Sequence, residues 1–221
     1  ILKGEITNDT QYCMAPNGAF FRKDKRGFLP ELMESIYNDR VKYKTLLLEA
    51  KQQYEDTKDK RYLKDISKYE NIQMAKKISL NSAYGAIGNS WFRYFDLRNA
   101  EAITTSGQLS IRWIEKAINI YLNKLLDTNN EDYVVASDTD SVYITFETEK
   151  IINFLDKVAS EKLEPFIDKS YSHLAKEMNA YDQKMVMKRE VIADKGIWTA
   201  KKRYILNCHD IEGVRYKTPK L

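Results

Sequence analysis

Apolar residues recur at helical spacing along three long stretches of the chain. Leu32, Met33, Ile36, Tyr37, Tyr43, Leu47 and Tyr54 mark the first, which opens at Leu29 with Pro30 in a first-turn position. Ile66, Tyr69, Ile72, Ile78, Ala83 and Tyr84 mark the second, which follows the polar residues 56–60 and runs to about Ile87. Asp96 is a suitable cap for the third, which carries Ile103, Ile111, Ile114, Ile118, Tyr121 and Leu125 to about Leu126. A short polar link makes the first two most simply an antiparallel pair.

The rest of the pattern is strand-like, apart from a further helix at residues 151–178. Residues 12–23 form two short runs around Pro16, Asn17 and Gly18, a hairpin signal. Residues 133–146 are β-branched and aromatic, interrupted by the polar Ser137-Asp138-Thr139-Asp140-Ser141, and predict a second hairpin. Residues 184–192 and 196–207 predict two more strands. The order is a hairpin, two long helices, a helix, two strands, a helix and two strands. That is an α+β arrangement: an antiparallel sheet with helices on one face and a projecting helical pair. No repeat, low-complexity tract or flexible linker interrupts it.

Composition narrows the class. The 221 residues are 43% hydrophobic, enough for a real core, and the 8 glycines are too few for a turn-rich β-sandwich. Neither a GxGxxG nor a GxxxxGK[ST] run occurs, which removes the main support for Rossmann and P-loop readings. Cys13, Cys208, His173 and His209 have no zinc-ligand spacing, and the two cysteines are expected as reduced thiols. No apolar run approaches the ~18 residues of a membrane span, so the expectation is a soluble, cytoplasmic protein without membrane partners. The chain starts at Ile1, which suggests a fragment.

The net charge of +4 conceals a partition. Residues 22–77 carry +5, residues 131–182 carry −7, and residues 184–204 carry +5. An acidic middle between basic flanks suits a site that holds cations while binding a polyanion.

Three constellations could carry chemistry. Asp138 and Asp140 lie two apart at a hairpin bend, where both can face one hard cation, Mg2+ or Mn2+. An EF-hand starting at Asp138 is excluded, because Val142 and Tyr143 occupy a ligand place and the required glycine, although Glu149 falls at the twelfth position. A turn whose aspartates bond their own backbone is the structural alternative. Arg40 and Lys44 share a helix face, as do Lys77, Asn81, Tyr84 and Gly88. A helical pair turning at residues 58–59 sets Arg40 level with Lys77, gathering Arg40, Lys44 and Lys77 in a way that suits a triphosphate; a solvated charged face is the alternative. Lys201-Lys202-Arg203-Tyr204, near Trp198 and Ile205, suits contact with a phosphate backbone or simply solubilises an edge strand.

Together these motifs resemble family B DNA polymerases. Lys77-Ile78-Ser79-Leu80-Asn81-Ser82-Ala83-Tyr84-Gly85 has the form of their motif B, Asp138-Thr139-Asp140-Ser141 of motif C, and Lys201-Lys202-Arg203-Tyr204 of the primer-gripping element. The run from Asn81 through Trp91 to Ala100, and Arg189-Glu190-Val191-Ile192-Ala193, are especially similar to the replicative polymerases of T-even-type phages. The resemblance covers nearly the whole chain. It implies a palm at residues 1–28 and 91–221, and fingers at residues 29–90. Asp140 would ligate both metal ions, with Asp138 accessory. Arg40, Lys44 and Lys77 would hold the incoming dNTP, with Asn81 on the same face. Tyr84 and Gly85 would pack against the nascent base pair. Glu190 would be a palm carboxylate near the site, and Lys201, Lys202, Arg203 and Tyr204 would contact primer-template DNA. Two Mg2+ ions, replaceable by Mn2+, are the implied cofactors, and the implied reaction is addition of dNTPs to a primer 3′-hydroxyl in DNA replication. The location would be the host cytoplasm for a phage-encoded chain.

The sequence also departs from that family. No motif A run of the D-x-x-S-L-Y-P-S type occurs, and the exonuclease and thumb regions are absent. Ser137 replaces a customary glycine, Lys188 replaces an acid, and the fingers helices are shorter. The expectation is that the chain alone does not polymerise. It would be a fragment, or one subunit of a split enzyme, with another polypeptide or segment supplying motif A, the exonuclease and the thumb. A non-catalytic module that binds primer-template DNA or nucleotide is the alternative.

Overall fold

The structure is a computed structural model that describes residues 11–146 and 152–220. Residues 1–10 of the expected N-terminal palm portion, Glu149, the expected helix start at Ile151, and Leu221 lie outside the described residues. The chain divides into two compact units, one of Ile1–Lys25 with Arg98–Arg189, the other of Arg26–Leu97 with Glu190–Leu221.

The first unit contains β1 (Tyr12–Met14), β2 (Phe20–Arg22), α3 (Leu97–Leu126), β3 (Val134–Asp138), β4 (Ser141–Ile144), α4 (Ile152–Val158) and α5 (Glu164–Glu177). Its core grows from two helical stripes. Ile114, Ile118 and Leu122 recur every fourth residue on α3 and are fully buried. They meet Leu163, Ile167, Tyr171 and Leu174, together with Val134 of β3. Tyr121 stacks on Phe166 at 4.1 Å, and the Trp113 indole N–H donates to Ser170 Oγ at 2.9 Å. The buried stripe is narrower than expected: Ile103 and Leu125 remain about half exposed. The single helix expected at 151–178 is two, joined by a π-helical turn over Ala159–Leu163. Pro165 follows that turn and has no N–H to continue the α ladder, which accounts for the widened turn.

The second unit contains α1 (Phe28–Thr57), α2 (Arg61–Ile87), β5 (Val191–Ala200), β6 (Arg203–Ile211) and β7 (Val214–Lys220). Lys58 ends α1 in the left-handed region at φ 55°, with its N–H donating to the Tyr54 carbonyl at 2.8 Å. Asp59 then accepts from the Arg61 N–H at 2.9 Å and starts α2. The link therefore falls at residues 58–60, as the polar pattern predicts. Little apolar surface seals the pair: Leu47 and Ala50 are buried on α1, but only Gln73 on α2. Polar crossings supply the register, with Lys76 to Asp39 at 2.7 Å and Lys51 to Glu70 at 3.1 Å.

The fold is α+β with antiparallel pairing, but the seven strands among the described residues form three separate small sheets instead of one. Residues 184–190 are not a strand, and β7 was not anticipated. The missed signal is Glu212-Gly213, a two-residue link between Ile211 and Val214 with φ of 53° and 89°, the signature of a type I′ hairpin turn. No helix among the described residues is long and apolar enough to cross a membrane.

Burial pushes the Tyr171 hydroxyl up to about 12. A raised folded pKa favours the protonated form, so this contribution is intact below pH ~10, the unfolded value, and is lost between pH 10 and 12. We expect roughly 2–3 kcal/mol of stability to disappear over that window. Urea melts across pH 9–12 should show this loss in the parent and a flatter profile in Tyr171→Phe.

Candidate functional site

In the second unit, one cleft of about 220 Å³ lies along the facing sides of α1 and α2. Arg40, Lys44, Leu47 and Lys51 line it from α1, Glu70, Gln73, Met74 and Lys77 from α2, and Glu212 from the β6–β7 turn. The three cations expected to converge, Arg40, Lys44 and Lys77, therefore do so. Counting outward from a turn at residues 58–59 sets Arg40 level with Lys77, and the 39/76 and 51/70 crossings follow that reflection to within about one helical turn.

The electrostatics of this cleft are uneven. Lys51 pairs with Glu70, which also accepts from Gln73 Nε2 at 3.0 Å. Lys44 pairs with Glu212 at 2.5 Å. Arg40 and Lys77 have no ion-pair partner among the described residues, and the buried Arg40 Nε has no hydrogen-bond acceptor there. A buried N–H donor without an acceptor costs about 1–3 kcal/mol and marks where an anionic group would be accommodated. Four cations against two carboxylates suit a ligand bearing several negative charges. Sequence reasoning missed Lys51, Glu70, Gln73 and Glu212. The first two were within reach of the same counting; Glu212 arrives from the other end of the chain and was not.

Further along α2, Asn81 and Tyr84 lie one and two turns beyond Lys77, exposed and outside the cleft lining. Gly85 follows in the last turn of α2, two residues before its end at Ile87, and a Cβ built there meets nothing within 4 Å. Packing among the described residues does not require this glycine, which is a weaker helix former than alanine. Lys201 and Lys202 form the two-residue link between Ala200 and Arg203, with Lys202 at φ 61°. Tyr204 faces Trp198 across the ladder, ring centroids 6.4 Å apart, and all four residues of the K-K-R-Y run are exposed. Glu190 is exposed immediately before β5, its carbonyl accepting from the Glu212 N–H at 2.5 Å.

In the first unit, Asp138 closes β3 and Asp140 precedes β4, with only Thr139 between them. The α3 asparagines aim this hairpin. Asn119 Oδ1 accepts from the Tyr133 N–H at 2.9 Å, and Asn123 takes both polar backbone groups of Glu131. The bend is a γ-turn: the Asp140 N–H donates to the Asp138 carbonyl at 2.6 Å around Thr139 at φ 50°. Thr139 Oγ1 donates to Asp138 Oδ1 at 2.9 Å, and Asp140 is exposed. Ser137, at the departure from the usual glycine, makes a long 3.4 Å hydrogen bond to Glu115.

Among the described residues, no three His, Cys, Asp or Glu side chains gather into a metal-binding group. The two carboxylates on the bend nevertheless fit Mg2+, a hard cation commonly held by one or two carboxylates with water and phosphate oxygens completing its shell.

Comparison with known proteins agrees with the motif pattern. A sequence model described as DNA polymerase family B matches residues 2–214, and the chain belongs to that family. It is 35% identical to the DNA-directed DNA polymerase of Escherichia phage RB69 over 272 positions, covering 95% of this chain and 30% of that protein. The DNA-directed DNA polymerase of Enterobacteria phage T4 is 33% identical, over 96% of this chain and 30% of its own length. The DNA polymerase delta catalytic subunit of Caenorhabditis elegans is 29% identical over 66% of this chain and 13% of its own length. The chain thus spans about 30% of the phage relatives. The matched 272 positions exceed the 221 residues present, so the relatives carry extra residues inside the shared span.

A β-branched residue at positive φ is strained, at a cost of order 1–3 kcal/mol. Thr139→Gly is therefore expected to stabilise the fold by about 1 kcal/mol, less glycine's own entropic cost. A rise in Tm of a few degrees would show it; an unchanged or lowered Tm would mean that Thr139 is not strained.

Proposed function

We propose that this chain is the palm and fingers portion of a DNA-templated DNA polymerase. In this reading residues 29–90 are the fingers and the remaining segments the palm. The observation that carries it is the cleft uniting Arg40, Lys44 and Lys77, in a chain of family B, with the buried Arg40 Nε lacking an acceptor.

The substrates are primer-template DNA and a dNTP. Arg40, Lys44 and Lys77 hold the triphosphate, the guanidinium with its planar donor fork and the ammonium groups as point charges. Asn81 and Tyr84 continue that face toward the sugar and base. Gly85 leaves room for the nascent base pair, which accounts for a glycine in the last turn of α2 that packing among the described residues does not require. Lys201, Lys202, Arg203 and Tyr204 contact the duplex backbone, and Glu190 is a further palm carboxylate near the site. Asp140, with Asp138 beside it, would hold divalent cations. Bound Mg2+ would lower the pKa of the attacking hydroxyl and neutralise phosphate charge. The primer 3′-oxygen loses its proton and forms a bond to the α-phosphorus, while the bond from that phosphorus to the departing pyrophosphate breaks.

Turnover also needs a motif A aspartate, which no run in these 221 residues provides. Activity is therefore expected when a polypeptide bearing motif A, and with it the exonuclease and thumb regions, is supplied. Phage-encoded action in host cytoplasm would follow from the phage relatives.

Primer extension with Mg2+ and dNTPs, with and without a polypeptide bearing motif A, tests this. Extension only in the mixture, abolished by Asp140→Ala, is the expected result. Lys77→Ala should raise the dNTP KM by about 10–100-fold, the scale of one charged hydrogen-bonding partner. Gly85→Ala should raise Tm while lowering extension. A mixture that binds primer-template but never extends it would instead identify a non-catalytic binding module.

A further inference from the structure

The cleft carries a carboxylate that phosphate recognition does not call for. We propose that Glu212 is an internal counter-ion that occupies Lys44 when no nucleotide is present and must be displaced by the incoming triphosphate. It would thereby be a positioning residue that sets the affinity of the site. This inference rests on reading the cleft as a triphosphate site.

Three observations support it. Lys44 Nζ and Glu212 Oε1 are 2.5 Å apart, and both side chains are only about one-third exposed, so the pair is partly shielded from solvent and salt. The backbone at Glu212 is unfavourable for glutamate: the first corner of a type I′ turn has φ > 0 and favours Asn, Asp or Gly. Glutamate stands there at φ 53°, its backbone N–H donating to the Glu190 carbonyl. Finally, the hairpin does not need this ion pair to meet α1. The Arg215 N–H donates to Gln52 Oε1 at 3.0 Å, and Lys220 lies 3.4 Å from Glu55, both on the α1 face that carries Lys44. The pair is thus separable from the docking of β7.

A carboxylate in this position mimics one phosphate oxygen pair. It fixes Lys44 within the cleft and cancels part of the repulsion among the four cations. Its cost is a competition: only a ligand with enough negative charge to replace it gains Lys44. A polyanion such as a triphosphate meets that condition better than a monophosphate, so Glu212 raises the threshold against singly phosphorylated competitors.

The test measures inorganic tripolyphosphate and inorganic phosphate binding to the full chain by calorimetry. Glu212→Gln should tighten tripolyphosphate binding by about three- to tenfold, the range expected for releasing one partly screened ion pair. It should also narrow the preference for tripolyphosphate over phosphate. In a Lys44→Ala background the same substitution should have no effect, an outcome that a merely structural role for Glu212 would not produce. Glu212→Asn, which suits the turn, keeps the test valid if the glutamine variant folds poorly. Unchanged or weaker tripolyphosphate binding in both Glu212 variants would overturn the proposal. Arg40→Ala and Lys77→Ala separate the two levels. If they weaken binding while the Glu212 variants do nothing, only the counter-ion role fails. If they have no effect, the triphosphate reading fails and the counter-ion role with it.

Discussion

Like charges held between two helices are the constraint on which the second unit depends. Unit charges 4–8 Å apart repel by roughly 2–4 kcal/mol at an effective dielectric near 20. Four cations on one cleft would push α1 and α2 apart, and the apolar seam opposing this is thin: Leu47 and Ala50 on one side, Gln73 on the other. The structure offsets the repulsion with carboxylates. Glu70 takes Lys51, Glu212 takes Lys44, and Asp39 and Lys76 cross just outside the cleft. Charge cancellation remains incomplete at Arg40 and Lys77 among the described residues. That incompleteness leaves the cleft with a net positive charge.

The acidic bend is built on the opposite principle. Asp138 and Asp140 sit on a hairpin whose root, Val134, is buried against the fully enclosed Ile114, Ile118 and Leu122. Asn119 and Asn123 satisfy the backbone entering that hairpin, so the bend starts from fixed points on α3. Apolar packing can hold a tight turn with a β-branched residue at positive φ, because the surrounding contacts over-determine it. A polar seam could not do so as readily. Each unit therefore uses the stabilising force that suits its charge: carboxylates carried on an apolar core, cations gathered on a polar helical pair.

Much of this was legible in the sequence because it is local. The helix ends near Ile87 and Leu126, the polar link after α1, and the hairpin bend at Asp138-Thr139-Asp140 follow from periodicity and turn chemistry over a few residues. The meeting of Arg40 with Lys77 was legible for a related reason, since a helical hairpin is a reflection about its link. What sequence did not disclose is non-local or masked. Residues 184–190 include the apolar run Met185-Val186-Met187, but no ladder partner is found for them among the described residues. The β6–β7 turn was hidden because glutamate occupies its asparagine-like corner, and missing that turn also concealed Glu212. Burial within the helices is overestimated from periodicity at Ile103, Leu125 and Ile78, where apolar spacing continues past the surface each helix buries.

The charge partition acquires a physical meaning from this division. The cation cleft and the K-K-R-Y turn belong to the unit of Arg26–Leu97 and Glu190–Leu221, while the aspartate pair belongs to the other. Among the described residues of its own unit, the cation cleft is balanced only by carboxylates that the same unit supplies. The counter-ions that do enter the cleft, Glu70 and Glu212, are each committed to one lysine and leave Arg40 and Lys77 available. The positive balance of the cleft is therefore set inside that unit, by two carboxylates against four cations.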